Sequence, residues 1–101
     1  MHSEITAAGL LSRLDKGEPL NILDVREEIE YHTFNIGGKN IPLHAIKEGS
    51  GNIGFFKTDE IIVVCSAGLR SLTAAKLLDE AGYTSVYNLT GGLRALQKLR
   101  H

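Results

Sequence analysis

Apolar residues recur along the chain in two alternating patterns, short continuous runs and stripes with helical spacing. The runs predict β-strands because they are short and largely β-branched, and they lie at residues 21–25, 40–43, 61–64 and 85–89. Between the runs, apolar positions fall three or four residues apart, which predicts amphipathic helices. Strands that alternate with helices in this way predict an α/β domain with a parallel sheet.

Capping and stop residues mark where the helices begin and end. Thr6 is the predicted N-cap of a first helix, whose apolar stripe ends before Gly17. A terminal helix, striped with leucine over residues 93–99, follows the turn at Gly91-Gly92. Further helices are predicted over residues 27–32, over one turn within 43–48, and from the end of the segment 66–71 as far as Gly82.

Three details refine this outline. Four β-branched residues in a row at 61–64 predict a parallel strand that is buried on both faces. Pro42 has no backbone N–H, so the run at 40–43 is expected at a sheet edge or a strand end. The glycine-rich segment 49–54 is interpreted as a flexible connection. Its letters match a dinucleotide-binding loop, but it precedes a strand and no helix follows it.

Size and charge limit the organisation and the partners of the chain. At 101 residues it is expected to form a single domain over residues 1–101. A net charge of -1 argues against nucleic acid as a partner, because such domains usually carry a basic excess. No apolar stretch approaches the ~20 residues that span a bilayer, so we expect no membrane association. The sequence does not indicate an oligomeric state, and a monomer is the default expectation.

The N-terminus and the cysteine content point to a compartment. Residues 1–4 lack the basic start and the apolar segment of a signal peptide. The chain contains one cysteine and therefore no internal disulfide, which fits a reducing environment. We therefore expect a cytoplasmic protein.

Cys65, the only cysteine, stands where the apolar run 61–64 gives way to small residues and then to a helix. A strand, a short loop and a helix in this order aim backbone N–H groups at the first loop residue, off the carboxyl end of the sheet. Such a setting lowers the pKa of a thiol from about 8.5 and makes it nucleophilic. The alternative is that Cys65 is a small hydrophobic residue of the core with no chemical role. Packing in the core does not, however, require the small loop residues that follow it.

The N–H groups of the loop are expected to form a cradle around the sulfur of Cys65. The residues that contribute them are Ser66, Ala67, Gly68, Leu69, Arg70 and Ser71. Gly68 lets the loop curl through backbone angles that other residues resist. Arg70 adds the only formal charge of the loop.

The segment Cys65-Ser-Ala-Gly-Leu-Arg-Ser71 resembles the active-site loop of the rhodanese (sulfurtransferase) family. Further segments that are similar to the family follow in the same order over nearly the whole chain: Asp24-Val25-Arg26, Glu30-Tyr31, Gly37-Gly38, Asn40–Leu43, Ala81–Tyr83 and Gly91-Gly92. The resemblance implies a three-layer sandwich. Its central sheet would be mainly parallel, with about five strands, and would carry helices on both faces.

The resemblance also implies an activity, the transfer of a sulfane sulfur through a persulfide on Cys65. The donor would be thiosulfate, polysulfide or a persulfide, and the acceptor would be a thiol, cyanide or a sulfur-accepting protein. No cofactor is implied, and no metal is expected because the four histidines lack metal-ligand spacing. The alternative is a non-catalytic rhodanese-like module that binds a partner. Inactive members typically lose the cysteine or distort the loop, and this chain retains both.

Asp24 and Arg26 are expected to support the site from the end of an early strand. Asp24 is interpreted as orienting a loop or pairing with an arginine, and Arg26 could instead attract an anionic donor at the pocket mouth. Glu27, Glu28 and Glu30 are interpreted as a solvated helix face.

Departures from the related families narrow the chemistry. Cysteine phosphatases need an arginine at the sixth position after the cysteine, but here Arg70 is fifth and Ser71 is sixth. Family loops often carry a charged residue directly after the cysteine, whereas Ser66 is neutral. A less positive loop is expected to hold doubly charged thiosulfate less well. Leu96 stands in the neighbourhood where the family often has a tryptophan, which should affect only packing.

Overall fold

The computed structural model describes residues 1–49 and 52–100. Its strands are β1 (Ser3–Ile5), β2 (Ile22–Asp24), β3 (Lys39–Asn40), β4 (Glu60–Val64) and β5 (Ser85–Leu89). Its helices are α1 (Ala7–Asp15), α2 (Glu28–Thr33), α3 (Leu43–Gly49), α4 (Leu69–Glu80) and α5 (Gly92–Leu99). Strands and helices alternate as the hydrophobic pattern predicts, and Thr6 caps α1 by accepting a hydrogen bond from the Gly9 N–H at 3.0 Å.

The strands form one five-stranded sheet in the order β1-β5-β4-β2-β3, and every pairing is parallel. Strand β4 lies at the centre, between β5 and β2. Its residues from Ile61 to Val64 have no exposed surface, which confirms the prediction of a strand buried on both faces.

Two apolar cores cover the two faces of the sheet. Because successive strand side chains point to opposite faces, Ile61, Val63 and Cys65 belong to one core, whereas Ile62 and Val64 belong to the other. Helices α3 and α4 pack together on the first face, and α1 and α5 pack together on the second. The predicted three-layer sandwich with helices on both faces is confirmed. Within the described residues, no helix combines the length and the apolar composition needed to cross a bilayer.

The sequence pattern missed β1 and misplaced β3. Strand β1 has three residues at the sheet edge, two of them exposed, so it contains no apolar run to detect. The strand predicted at 40–43 is instead the short β3, Lys39–Asn40, because Leu43 already begins α3. Helix α3 is also longer than the single turn that the sequence predicts. The N–H groups of Ile41 and Leu43 nevertheless continue the ladder toward β2, and β3 is an edge strand as Pro42 predicts.

Two smaller predictions differ in outcome. Leu99, expected on the apolar stripe of the last helix, is 49% exposed and contributes little to the core. The flexible connection predicted at 49–54 includes residues 50 and 51, which lie outside the described residues.

The loop after β4 is fixed by its contact with the first turn of α5. The N–H of Leu93 donates to the carbonyl of Cys65 at 2.8 Å, and the N–H of Arg94 donates to the carbonyl of Ser66 at 3.0 Å. This approach requires glycine at position 92, where φ is 66° and a Cβ atom would overlap the Ser66 carbonyl. The glycine pair after β5 is therefore a docking point for the cysteine loop.

We expect Gly92→Ala to lower the free energy of unfolding by about 3 kcal/mol, because backbone strain and steric overlap add together. Gly17→Ala is the matched control: its φ is 73°, but a Cβ atom there would meet nothing within 4 Å. The control should cost only the strain of about 1 kcal/mol. Urea unfolding of both variants measures the two losses, and equal losses would contradict the docking contact.

Candidate active site

Cys65 follows β4 directly and lies beside the start of α4. Gly68 is the N-cap of that helix, with φ at 93°, a conformation that favours glycine. The predicted loop 66–71 is therefore three loop residues followed by the first turn of a helix. This arrangement brings the sulfur to the positive end of the α4 dipole.

Hydrogen-bond donors converge on the sulfur of Cys65. The N–H of Gly68 donates to Sγ at 3.1 Å and the N–H of Ser71 donates at 3.3 Å. The hydroxyl oxygen of Ser71 also lies 3.3 Å from Sγ. The cysteine is 1% exposed, so these contacts are made in a largely dry environment, where they are strong.

A docked carbonyl explains why the Ala67 amide points inward. A trans peptide group holds its C=O and its N–H in opposite directions. The carbonyl of Ser66 points outward to the N–H of Arg94, so the N–H of Ala67 is directed back toward the sulfur.

Two opposing effects determine the pKa of Cys65. Burial raises it, but the hydroxyl of Ser71 and the N–H groups of Ser71, Gly68 and Ala67 lower it by more. The pKa of the thiol therefore lies below its ordinary value. Such a thiol is ionised at lower pH than a free cysteine.

The six cradle residues named from the sequence differ in what they contribute. Gly68 and Ser71 lie within hydrogen-bond distance of Sγ, whereas Leu69 is 73% exposed at the start of α4. Ser66 contributes its carbonyl to the contact with α5, and Arg70 turns its side chain to another partner. The catalytic roles of these residues stay predictions.

Ser71 is itself held by a buried asparagine on β5. Its hydroxyl donates to Oδ1 of Asn88 at 2.5 Å, and the Asn88 amide donates to Oε1 of Glu4 at 3.0 Å and to the carbonyl of Gly68 at 3.5 Å. The two acceptors fix which end of the amide faces Ser71. Because a hydroxyl has one proton, Ser71 can donate to Asn88 or to the sulfur of Cys65, but not to both at once.

Arg70 is neutralised by a carboxylate that the sequence pattern assigned to solvent. Its guanidinium forms a two-pronged ion pair with Glu30, at 2.6 and 3.0 Å, and Ser66 Oγ lies 3.4 Å from the same carboxylate. The ion pair lowers the pKa of Glu30 to about 2 and raises that of Arg70. The prediction that Glu27, Glu28 and Glu30 form one solvated face is therefore wrong for Glu30.

Asp24 and Arg26 form a buried ion pair. Nη2 of Arg26 lies 2.7 Å from Oδ2 of Asp24, and Nε lies 3.0 Å from Oδ1. The same guanidinium donates to the carbonyl of Glu30 in the first turn of α2 and to the carbonyl of Phe34 directly after that helix. The pair thus ties the end of β2 to the helix that carries Glu30, and the guanidinium also borders a cavity.

The cavity has a volume of about 360 Å³ and lies between α2, α5 and the cysteine loop. The loop residue that reaches it is Ser66, next to Cys65, while the sulfur itself is nearly buried. The other residues that line it are Arg26, Ile29, Glu30, Thr33, Phe34, Leu93, Arg94 and Gln97.

Metal-binding side chains do not cluster in residues 1–49 and 52–100: no group of three or more His, Cys, Asp or Glu could hold an ion there. What the site offers instead is a set of N–H and O–H donors around one sulfur. Such a set stabilises negative charge on that atom.

A family model described as "Rhodanese-like domain" matches residues 6–99. The chain belongs to the rhodanese-like family. The structure of a rhodanese-like domain protein from Staphylococcus aureus superposes with a TM-score of 0.81 at 28% identity, covering 93% of this chain and 90% of that one.

Two curated relatives connect the family to sulfur chemistry. GlpE of Pseudoalteromonas translucida, named as a thiosulfate sulfurtransferase, is 34% identical over 96 residues, which cover 90% of this chain and 85% of GlpE. YrkF of Bacillus subtilis, named provisionally as a sulfur carrier protein, is 36% identical over 92 residues, or 90% of this chain. Those residues cover 49% of YrkF, so the chain spans about half its length.

Sequence reasoning missed Asn88, Glu30 and Arg94 as components of the site. Asn88 had one usable signal, a polar residue inside an otherwise apolar strand. Glu30 had only the family resemblance of Glu30-Tyr31, and Arg94 had no signal, because their partners are brought close only by the packing of α2 and α5 around the loop. Isolated charges on predicted helices are usually solvated.

We expect Ser71→Ala to raise the pKa of Cys65, because the variant lacks the hydroxyl that can turn from Asn88 and donate to the thiolate. A higher pKa lowers the thiolate fraction at every pH below the plateau, so alkylation by iodoacetamide should slow at neutral pH. The measurement is the alkylation rate against pH. Thr73→Ala is the control, since its exposed hydroxyl donates to the Leu69 carbonyl on the same helix. An unmoved midpoint in Ser71→Ala would rule out this role.

Proposed function

We propose that this chain is a sulfurtransferase that carries a sulfane sulfur as a persulfide on Cys65. The observation that carries the proposal is the convergence of the Gly68 N–H, the Ser71 N–H and the Ser71 hydroxyl on one buried sulfur. Membership of the rhodanese-like family and the sulfurtransferase name of GlpE support the same chemistry. The site is proposed to act within the single domain 1–101.

In the first step, the thiolate of Cys65 attacks the outer sulfur of a donor such as thiosulfate. A new S–S bond forms to Sγ, the S–S bond of the donor breaks, and its electron pair leaves with sulfite. The product is a persulfide anion. The N–H groups of Gly68 and Ser71 stabilise negative charge throughout, as an oxyanion hole does.

In the second step, a thiolate or cyanide attacks the outer sulfur of the persulfide. The bond between the two sulfurs breaks, and its electron pair returns to Sγ of Cys65. The enzyme is regenerated without an oxidant or reductant, so two displacements with ping-pong kinetics are expected. Polysulfide or a persulfide can serve as donor by the same exchange.

The alternative is a module that binds a partner without turnover. The lowered pKa of Cys65 supports the enzyme, because a cysteine that only packs has no need of donors for its ionised form. A cytoplasmic location stays a prediction, and it fits the proposal because a reducing compartment keeps the thiol free of disulfides.

We expect Cys65 to gain one sulfur atom when the protein is exposed to thiosulfate or polysulfide. Intact-mass spectrometry detects the adduct, and cyanide should remove it. Cys65→Ser is the control and should gain nothing, although it conserves the size of the side chain. If no donor produces the adduct on the unaltered chain, the partner-binding module becomes the better explanation.

Glu30 is proposed to disfavour thiosulfate by neutralising Arg70. The ion pair leaves the loop without a free positive charge for a doubly charged donor. We expect Glu30→Gln to lower KM for thiosulfate by about threefold, within the range of a single exposed ion pair. Steady-state rates with thiosulfate and cyanide measure the change.

Glu28→Gln is the control for Glu30→Gln. It removes the same charge from an exposed position on α2 that has no ion pair in the described residues. If both variants lower KM equally, general charge and not the release of Arg70 is responsible. Because the pKa of Glu30 is about 2, the Glu30–Arg70 pair stays ionised at neutral pH. The change in KM should therefore not vary with pH in that range.

A further inference from the structure

Three arginine side chains border the cavity or the cysteine loop, and two of them are already engaged. Arg70 is paired with Glu30, and Arg26 is paired with Asp24 and bound to two carbonyls. The guanidinium of Arg94 is exposed and has no hydrogen-bond or ion-pair partner among residues 1–49 and 52–100. Of these three cations, Arg94 is the one that an anionic ligand meets uncompensated.

Arg94 is also held close to the reacting residue. Its N–H donates to the carbonyl of Ser66 at 3.0 Å, one residue from Cys65, while its side chain lines the cavity. A ligand in the cavity can therefore contact the guanidinium at one end and approach the loop at the other. The guanidinium would therefore bind a group of the ligand that lies several bonds away from the ligand's reacting sulfur.

Part of the cavity wall is apolar. Ile29 is 78% exposed and Phe34 is 39% exposed, and both line the cavity with the buried side chain of Leu93. Its volume of about 360 Å³ is at the lower end of the range for small-molecule sites, roughly 300–1,000 Å³. The other lining residues are the polar Thr33, Ser66 and Gln97 and the ion-paired Arg26 and Glu30. An apolar patch beside one free guanidinium matches a short amphipathic anion.

We propose that the cavity binds the sulfur acceptor, and that the acceptor is a small thiol with a carboxylate at the far end of an apolar chain. The carboxylate binds the guanidinium of Arg94, and the chain covers Ile29 and Phe34. The inference rests on the proposed sulfurtransferase function and specifies its second substrate.

Transfer to this acceptor needs no further reagent. The acceptor loses its thiol proton to water, and its thiolate attacks the outer sulfur of the Cys65 persulfide. A new S–S bond forms on the acceptor while the enzyme's S–S bond breaks, and the electron pair returns to Sγ. The product is the acceptor persulfide, whose carboxylate is unchanged.

The test compares 6-mercaptohexanoate with 6-mercaptohexanol, which differ only in the terminal group. We expect Arg94→Gln to raise KM for the carboxylate by about fivefold, the upper range for an exposed ion pair. KM for the alcohol should change less than the assay can resolve. Arg100→Gln is the control, since Arg100 is an exposed arginine just after α5 that does not line the cavity.

Two outcomes would overturn the proposal while leaving the sulfurtransferase function intact. One is an equal change in KM for both thiols in Arg94→Gln, and the other is no change for the carboxylate. In both outcomes mercaptohexanol must still remove sulfur from Cys65. Turnover with the alcohol therefore tests the proposed sulfurtransferase function independently of the carboxylate site.

A binding measurement tests the cavity separately from sulfur transfer, because the proposed function also allows cyanide as acceptor. Hexanoate has the carboxylate and the chain but no thiol. Titrated into the unaltered chain, it should shift the NMR signals of Phe34 and Arg94, and Arg94→Gln should abolish the shift of Phe34. Absence of any shift in the unaltered chain would overturn the cavity assignment itself.

Discussion

Two backbone hydrogen bonds hold the cysteine loop in the form on which the candidate chemistry depends. The N–H groups of Leu93 and Arg94 bind the carbonyls of Cys65 and Ser66. Since each peptide group is planar and trans, carbonyls that are turned outward leave amides turned inward. Helix α5 therefore sets the direction of the Ala67 N–H toward the sulfur and anchors the loop that leads to the N–H groups of Gly68 and Ser71. Little reorganisation is then needed when the sulfur ionises.

The sheet order makes this contact possible. Strands β4 and β5 are neighbours, so the segments that follow them, the cysteine loop and the start of α5, emerge side by side from the same edge. Gly92 removes the side chain that would keep them apart. On the other side, the buried Asp24–Arg26 pair ties β2 to α2 and so positions Glu30 against Arg70. The loop is therefore held from two sides.

Dipoles and formal charges have separate roles around this loop. Amides and one hydroxyl act on the sulfur directly, and they lower the pKa of Cys65 despite its burial. The only formal charge of the loop, on Arg70, is largely cancelled by Glu30. A loop with little net charge favours a singly charged sulfur over bulky oxyanions, while the uncompensated guanidinium of Arg94 lies farther along the cavity. This separation is the physical basis for expecting an acceptor with a remote carboxylate.

The sequence pattern alone determined an α/β domain with a parallel sheet, four of the five strands, and Cys65 in a small-residue loop before a helix, because periodicity, capping residues and glycines act locally. The three-layer sandwich was implied by the family resemblance. Local signals could not detect β1, which has no apolar run, or the partners of Glu30, Asn88 and Arg94. Glu4 and Asn88 are 84 residues apart in sequence yet hydrogen-bonded, and Arg70 and Glu30 are 40 apart. Which charges are cancelled and which stay free was decided by tertiary packing, since electrostatic pairing depends on distance in space.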